Sequence, residues 1–221
     1  MIPKSWETVL NSDAFKKGHT DRDASEDNLS IAVDLVHLML GRAISDWGQV
    51  EKELSGVFAN CFPIMHSAPA GHAFFEPHSF PTQLKMTSRA VVIACQKSPN
   101  SKEITERWWE IFKTTETLSS ARNKLAHGSV ICNQRFSDNY FFVRFEAFAS
   151  ASIYNRSAEQ NLEKKYAKKF WETIPKTFTG LELNNLAADF NSASKLLREF
   201  SQDLSDVHNN DGTSVNDKDN A

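Results

Sequence analysis

A chain of 221 residues is enough for one or two domains and for a single core of useful size. Hydrophobic residues make up 40% and charged residues 24%, the balance of an ordinary soluble globular protein. A net charge of −3 with His neutral argues against a surface coated in positive charge for duplex nucleic acid, though not against a local basic cleft.

The cysteines Cys61, Cys95 and Cys132 are far apart and odd in number, and no CxxC pair exists. That speaks against structural zinc and against a disulfide framework. Polar Lys4, Ser5 and Glu7 follow Met1, so no apolar signal core is visible. No apolar run approaches the ~20 residues that span a membrane. The expectation is a reduced, cytoplasmic protein without membrane contact.

In chain order, residues 1–28 read as a short N-terminal helix and a polar linker, with Asp21, Arg22, Asp23, Glu26 and Asp27 in the linker. Leu29, Val33, Val36, Leu40, Ile44, Trp47, Leu54 and Phe58 recur at helical spacing and predict a long helix from about Leu29 to Asn60. Gly41 and Gly48 weaken it locally. The stretch 61–81 carries Pro63, Pro69, Gly71, Pro77 and Pro81, which predict a long surface loop. His66, His72 and His78 invite a metal reading there. Their spacing is not helical and only Glu76 accompanies them, so scattered loop histidines fit better and no metal site is assigned.

A second helix is expected over roughly Thr82 to Lys97. Asn100 with Glu103 suggests a capping box for a third helix, running to about Ala126 with Gly128 as its stop. Beyond it, 129–132 and 140–145 are rich in β-formers around the turn chemistry of Ser137-Asp138-Asn139, which predicts a hairpin. Residues 156–173 read as a charged helix ending before Pro175. Thr179 or Gly180 opens a last helix to about Leu204, with Leu183, Leu186, Ala187, Phe190, Ala193, Leu197 and Phe200 as its core face. Residues 205–221 are too polar to repay the entropy of ordering and read as a disordered tail. The predicted class is all-α: a helical bundle over 29–204 with a small β-hairpin inserted after the third helix.

The chemistry-bearing stretch is Arg122-Asn123-Lys124-Leu125-Ala126-His127-Gly128. At ~100° per residue, Ile104, Trp108, Ile111, Thr115, Leu118 and Leu125 form one stripe, and Arg122 falls within it. An arginine there is costly unless its guanidinium is paired or reaches a solvent-filled cleft. Trp109, Phe112, Asn123 and His127 lie on a second face, which could serve a second surface or subunit. A purely structural alternative exists, because basic residues in a last turn complement the helix dipole by about 0.3–1 kcal/mol. Lys124, His127 and Gly128 suit such a C-terminal cap. Glu51 lies on the apolar side of the first long helix and would want a cation such as Arg122 or Arg89, unless it reaches solvent at the stripe edge. Trp47, Trp108 and Trp109 read as core or interface anchors rather than base-stacking platforms.

The heptapeptide resembles the signature of the HEPN superfamily (higher eukaryotes and prokaryotes nucleotide-binding domains): arginine, a polar residue, then histidine after four to six intervening residues. Here the polar residue is Asn123 and the interval is four. The resemblance implies a compact bundle of about four helices with the motif late in a later helix. It also implies a metal-independent endoribonuclease without cofactor, usually a homodimer whose two motifs meet in one cleft. The aromatic-rich hairpin departs from the minimal bundle.

On that reading His127 is the general acid/base, Arg122 the phosphate clamp and Asn123 an orienting partner. Lys124 and Glu51 are possible supporting residues. RNA would be the substrate, and a toxin or phage-defence effector with a neutralising antitoxin or regulatory protein the setting. The alternative is a non-catalytic HEPN-like module for dimerisation and binding.

Overall fold

Helix-period burial decides most of this chain, even where local propensity objects. The structure is a computed structural model that describes residues 26–62, 64–96, 98–126, 128–133, 139–144 and 178–212, together with Asn11. The described residues are mostly helical: α1 (Glu26–Asn60), α2 (Ile64–Phe74), α3 (Phe80–Cys95), α4 (Ser101–Ala126) and α5 (Gly180–Gly212). Strands β1 (Gly128–Asn133) and β2 (Asn139–Arg144) pair antiparallel, with Ser129 opposite Val143 and Ile131 opposite Phe141. Residues 134–138, which would supply the expected hairpin turn, lie outside the described residues, as do the expected N-terminal helix and the charged helix over 156–173.

The expected loop over 61–81 is a correction, because its first half is α2. Pro69 lies inside that helix and removes one ladder bond, a cost of about 3 kcal/mol in an ordinary helix interior. Against this, Ala70 and Phe74 are buried, and the Phe74 ring packs 5.8 Å from Phe58. Burying one phenylalanine returns about 1.5–3 kcal/mol, so packing competes with the proline penalty. Helix α3 also begins two residues earlier than expected, at Phe80. Pro81 occupies its first turn, where an unbonded N–H is the rule and a proline loses nothing.

The ends of the other helices follow local chemistry. At the start of α4, Ser98 Oγ accepts from the Asn100 N–H at 3.3 Å, in place of the expected box between Asn100 and Glu103. The reciprocal box occurs at α5 instead. Thr179 N–H donates to Glu182 Oε2 at 2.8 Å, and Glu182 N–H donates to Thr179 Oγ1 at 3.2 Å. The backbone of α5 continues past the expected end near Leu204 to Gly212. Once a helix is nucleated each further residue adds a bond cheaply.

The chain divides into two compact units, Met1–Ile44 with Arg122–Ala188, and Ser45–Ala121 with Asp189–Ala221. In the second unit Trp47 is the hub, edge-on to Phe80 at 4.6 Å and to Phe190 at 5.1 Å. Trp108 packs 5.3 Å from Phe200 and donates its indole N–H to Ser88 Oγ at 3.0 Å. Within this unit α1 and α5 run parallel, since Trp47 meets Phe190, Glu53 meets Arg198, and Asn60 Nδ2 meets both oxygens of Ser201. Gly56 marks their close approach, where a Cβ would stand 3.6 Å from Ser201 Oγ. In the first unit Leu35, Val36 and Ala43 of α1, Leu125 of α4, and Leu183, Leu186 and Ala187 of α5 are buried.

Candidate functional site

Helix α4 places the residues of interest. Its inward stripe is laid out as the helical wheel requires: Trp108, Ile111, Thr115 and Leu125 are buried, and Ile104 and Leu118 are half-buried. Thr115 satisfies its buried hydroxyl by donating to the Ile111 carbonyl at 2.8 Å, so it brings no unpaired polar group to the stripe. Arg122 stands in the same row, half-buried, one turn before Leu125. Its Nη1 donates to Asn123 Oδ1 at 3.4 Å, a long bond between two members of the motif. Further interactions hold Arg122 as well.

Asn123 and Lys124 are exposed in the last turn of α4. The helix ends at Ala126, and the backbone enters β1 at Gly128. His127, the proposed proton carrier, lies outside the described residues. The structure thus brings Arg122 and Asn123 together and presents both at the C-terminal end of a helix, where the dipole favours cations.

Glu51 meets an indole one helical turn back, and further interactions hold it as well. Its Oε1 accepts from Trp47 Nε1 at 2.6 Å, one helical turn away. A buried indole N–H needs an acceptor, and this half-buried carboxylate supplies it. Arg89, the other cation considered for Glu51, is exposed on α3. Trp47 and Trp108 are core anchors, as their spacing suggested.

Trp109 is not a core residue: 42% of it is exposed, with its ring 5.2 Å from Phe112 in an edge-to-face pair. Sequence reasoning placed it correctly on the second face of α4 but missed its setting. The signal available was the charged Glu106, Glu110 and Lys113 around it on the same helix, all of them exposed.

Of the loop histidines, His72 lies exposed on α2 and His78 is exposed before α3. Among the described residues no cluster of three metal-ligating side chains occurs. Cys61 and Cys95 are free thiols. Burial, reinforced by the neighbouring Cys95, pushes the Cys61 thiol up to about 12, and burial also raises Cys95. Cys61 donates to the Val57 carbonyl at 3.2 Å, which further ties up the neutral thiol. Neither group is a nucleophile near neutral pH.

Fold and site together define a mostly helical protein with a basic, amide-bearing helix end. No helix among the described residues is long and apolar enough to cross a membrane. Comparison with protein families, with curated proteins and with solved structures finds no match to this chain.

Proposed function

We propose that the chain is a metal-independent endoribonuclease of HEPN-like fold, acting at the C-terminal end of α4. The observation that carries this reading is Arg122: a half-buried arginine in an apolar row, its guanidinium in an exposed contact with Asn123 of the same motif. A residue chosen only to fill that row would be apolar. A residue chosen to hold phosphate is an arginine, which stays charged and offers a planar fork of donors.

RNA supplies its own nucleophile. The 2′-oxygen bonds to the adjacent phosphorus, the bond from phosphorus to the 5′-oxygen breaks, and a 2′,3′-cyclic phosphate and a 5′-hydroxyl result. One proton leaves the 2′-oxygen and another reaches the departing 5′-oxygen. Histidine titrates near neutrality and suits this work, a role assigned to His127. Arg122 steadies the charge on the phosphorane, and Asn123 orients the guanidinium. A homodimer would supply a second copy of each group across a two-fold axis. A cytoplasmic toxin or defence effector restrained by a protein antitoxin is the biological setting this activity suggests, and the hairpin after the motif would be an insertion into the bundle.

The test is digestion of total RNA in EDTA by the wild type, Arg122→Ala and His127→Ala, with analysis of product ends. Cleavage by the wild type alone, leaving cyclic phosphate ends, supports the proposal. Activity surviving in both variants, or none in the wild type, removes it. The non-catalytic dimerisation module is favoured by one observation, the exposed Leu38 and Ile44 on α1. It predicts a dimer in solution that leaves RNA intact.

A further inference from the structure

The second unit carries an aromatic and basic strip that the motif does not use. The hydrogen bond from Trp108 to Ser88, buried at both ends, marks the seam between α3 and α4. Only residues 96–100 connect these helices, so they run antiparallel. In an antiparallel pair, equal steps along each chain turn toward the same side of the seam. One and four residues beyond Ser88 stand Arg89 and Val92, and one and four beyond Trp108 stand Trp109 and Phe112. Lys85, one turn before Arg89, and Lys113, one turn after Trp109, extend the strip.

The three cations are exposed and form no ion pair with a described acidic residue, and Glu116 on the next turn closes the strip. With Glu106, exposed beside Lys113 on the same side of α4, and Glu116 set against the three cations, the strip keeps an excess of one positive charge in a chain of net charge −3. Phe112 holds the half-exposed indole of Trp109 edge-to-face at 5.2 Å, which fixes its plane.

We propose that this face binds single-stranded RNA, with one base stacked on Trp109 and Lys85, Arg89 and Lys113 on the neighbouring phosphates. A flat aromatic flanked by exposed cations that form no ion pair among the described residues is the arrangement that grips an unstacked strand without reading its sequence. A helix of a protein partner would instead seek an unbroken aliphatic stripe, and here cations interrupt the apolar side chains. The choice of RNA as the polymer rests on the proposed ribonuclease activity, while the binding itself does not require cleavage.

The test uses the full-length His127→Ala chain with a fluorescein-labelled 15-nucleotide oligouridylate, read by anisotropy across a salt series. Affinity should fall with salt with a log–log slope of about −2, given about 0.7 per neutralised phosphate on a single strand. Adding Trp109→Ala should weaken binding about ten-fold while Trp109→Phe largely preserves it, because a ring face remains. The pair Lys85→Glu and Arg89→Glu should flatten the slope by about 1.4. Circular dichroism unchanged from the parent confirms that each variant is folded, and an unfolded Trp109→Ala leaves the charge pair to decide.

No binding at low salt, binding indifferent to the folded variants, equal affinity for an RNA duplex, or the same Trp109 dependence with an acidic peptide each overturns the proposal. The two readings separate cleanly. Wild-type cleavage with binding indifferent to Trp109 removes only the strip. Trp109-dependent binding without wild-type cleavage removes only the ribonuclease.

Discussion

Replacing Arg122 with methionine separates stability from function. Methionine keeps an unbranched apolar stem of similar reach in the row between Leu118 and Leu125, so packing against the buried side of α4 is largely retained. What is lost is the 3.4 Å bond to Asn123, already long for a hydrogen bond, a cation near the helix C-terminus, and the further interactions that hold Arg122. The cation is worth about 0.3–1 kcal/mol there. The net change in unfolding free energy should therefore stay below about 2 kcal/mol. Urea titration followed by circular dichroism measures it. RNA cleavage by the same variant should drop about 100-fold or more, as for loss of a donor to a developing oxyanion. A destabilisation above about 2 kcal/mol would make Arg122 a structural residue and refute the reasoning, as would retained cleavage.

Glu51→Ala should cost about 1–3 kcal/mol by stranding the indole N–H of Trp47, whereas Glu51→Gln, which keeps an acceptor, should cost less than half of that in the same titration. Trp108→Phe should cost a similar amount, because it removes the donor to buried Ser88 Oγ and leaves a void beside Phe200. Cys61 should resist iodoacetamide at pH 8 in the folded chain and react on unfolding, as peptide mapping would show; rapid labelling of native Cys61 contradicts its elevated value of about 12. Because this folded value lies above the ordinary thiol value of 9.0, the native state holds the proton more tightly. Its contribution is whole below pH 9 and is lost as pH rises toward about 12, so Cys61→Ala should flatten the alkaline limb of the stability profile.

The helices legible in sequence were those whose apolar residues kept a 3.6-residue rhythm over many turns. Trp108, Ile111, Thr115 and Leu125 fall on one face of α4 by arithmetic, and all four are buried. α2 is hidden in the sequence by Pro63, Pro69, Gly71, Pro77 and Pro81, of which Pro69 and Gly71 lie inside the helix itself. The burial of Phe74 depends on Phe58, which stands in a different helix and is invisible to a local window. The cap of α5 was easier than that of α4 because Thr179 and Glu182 satisfy each other within one turn. Ser98 displaced the expected Asn100 cap through a bond that only the bend before α4 creates. Glu51 looked like a carboxylate in search of a cation. It also accepts from the indole one turn back, a contact that a wheel placing Trp47 and Glu51 on one side could have suggested.

The same distinction governs the candidate site. Asn123 and Lys124 need no function, since exposed polar residues belong in a last turn. Trp109 and Arg122 are the two side chains of α4 that contradict their positions, an aromatic left half exposed and an arginine half buried. A half-exposed indole gains from a ligand with a flat face, and a guanidinium gains from an anion that it can clamp. RNA offers both in every nucleotide, a base and a phosphate, which is why the two proposals name the same class of ligand.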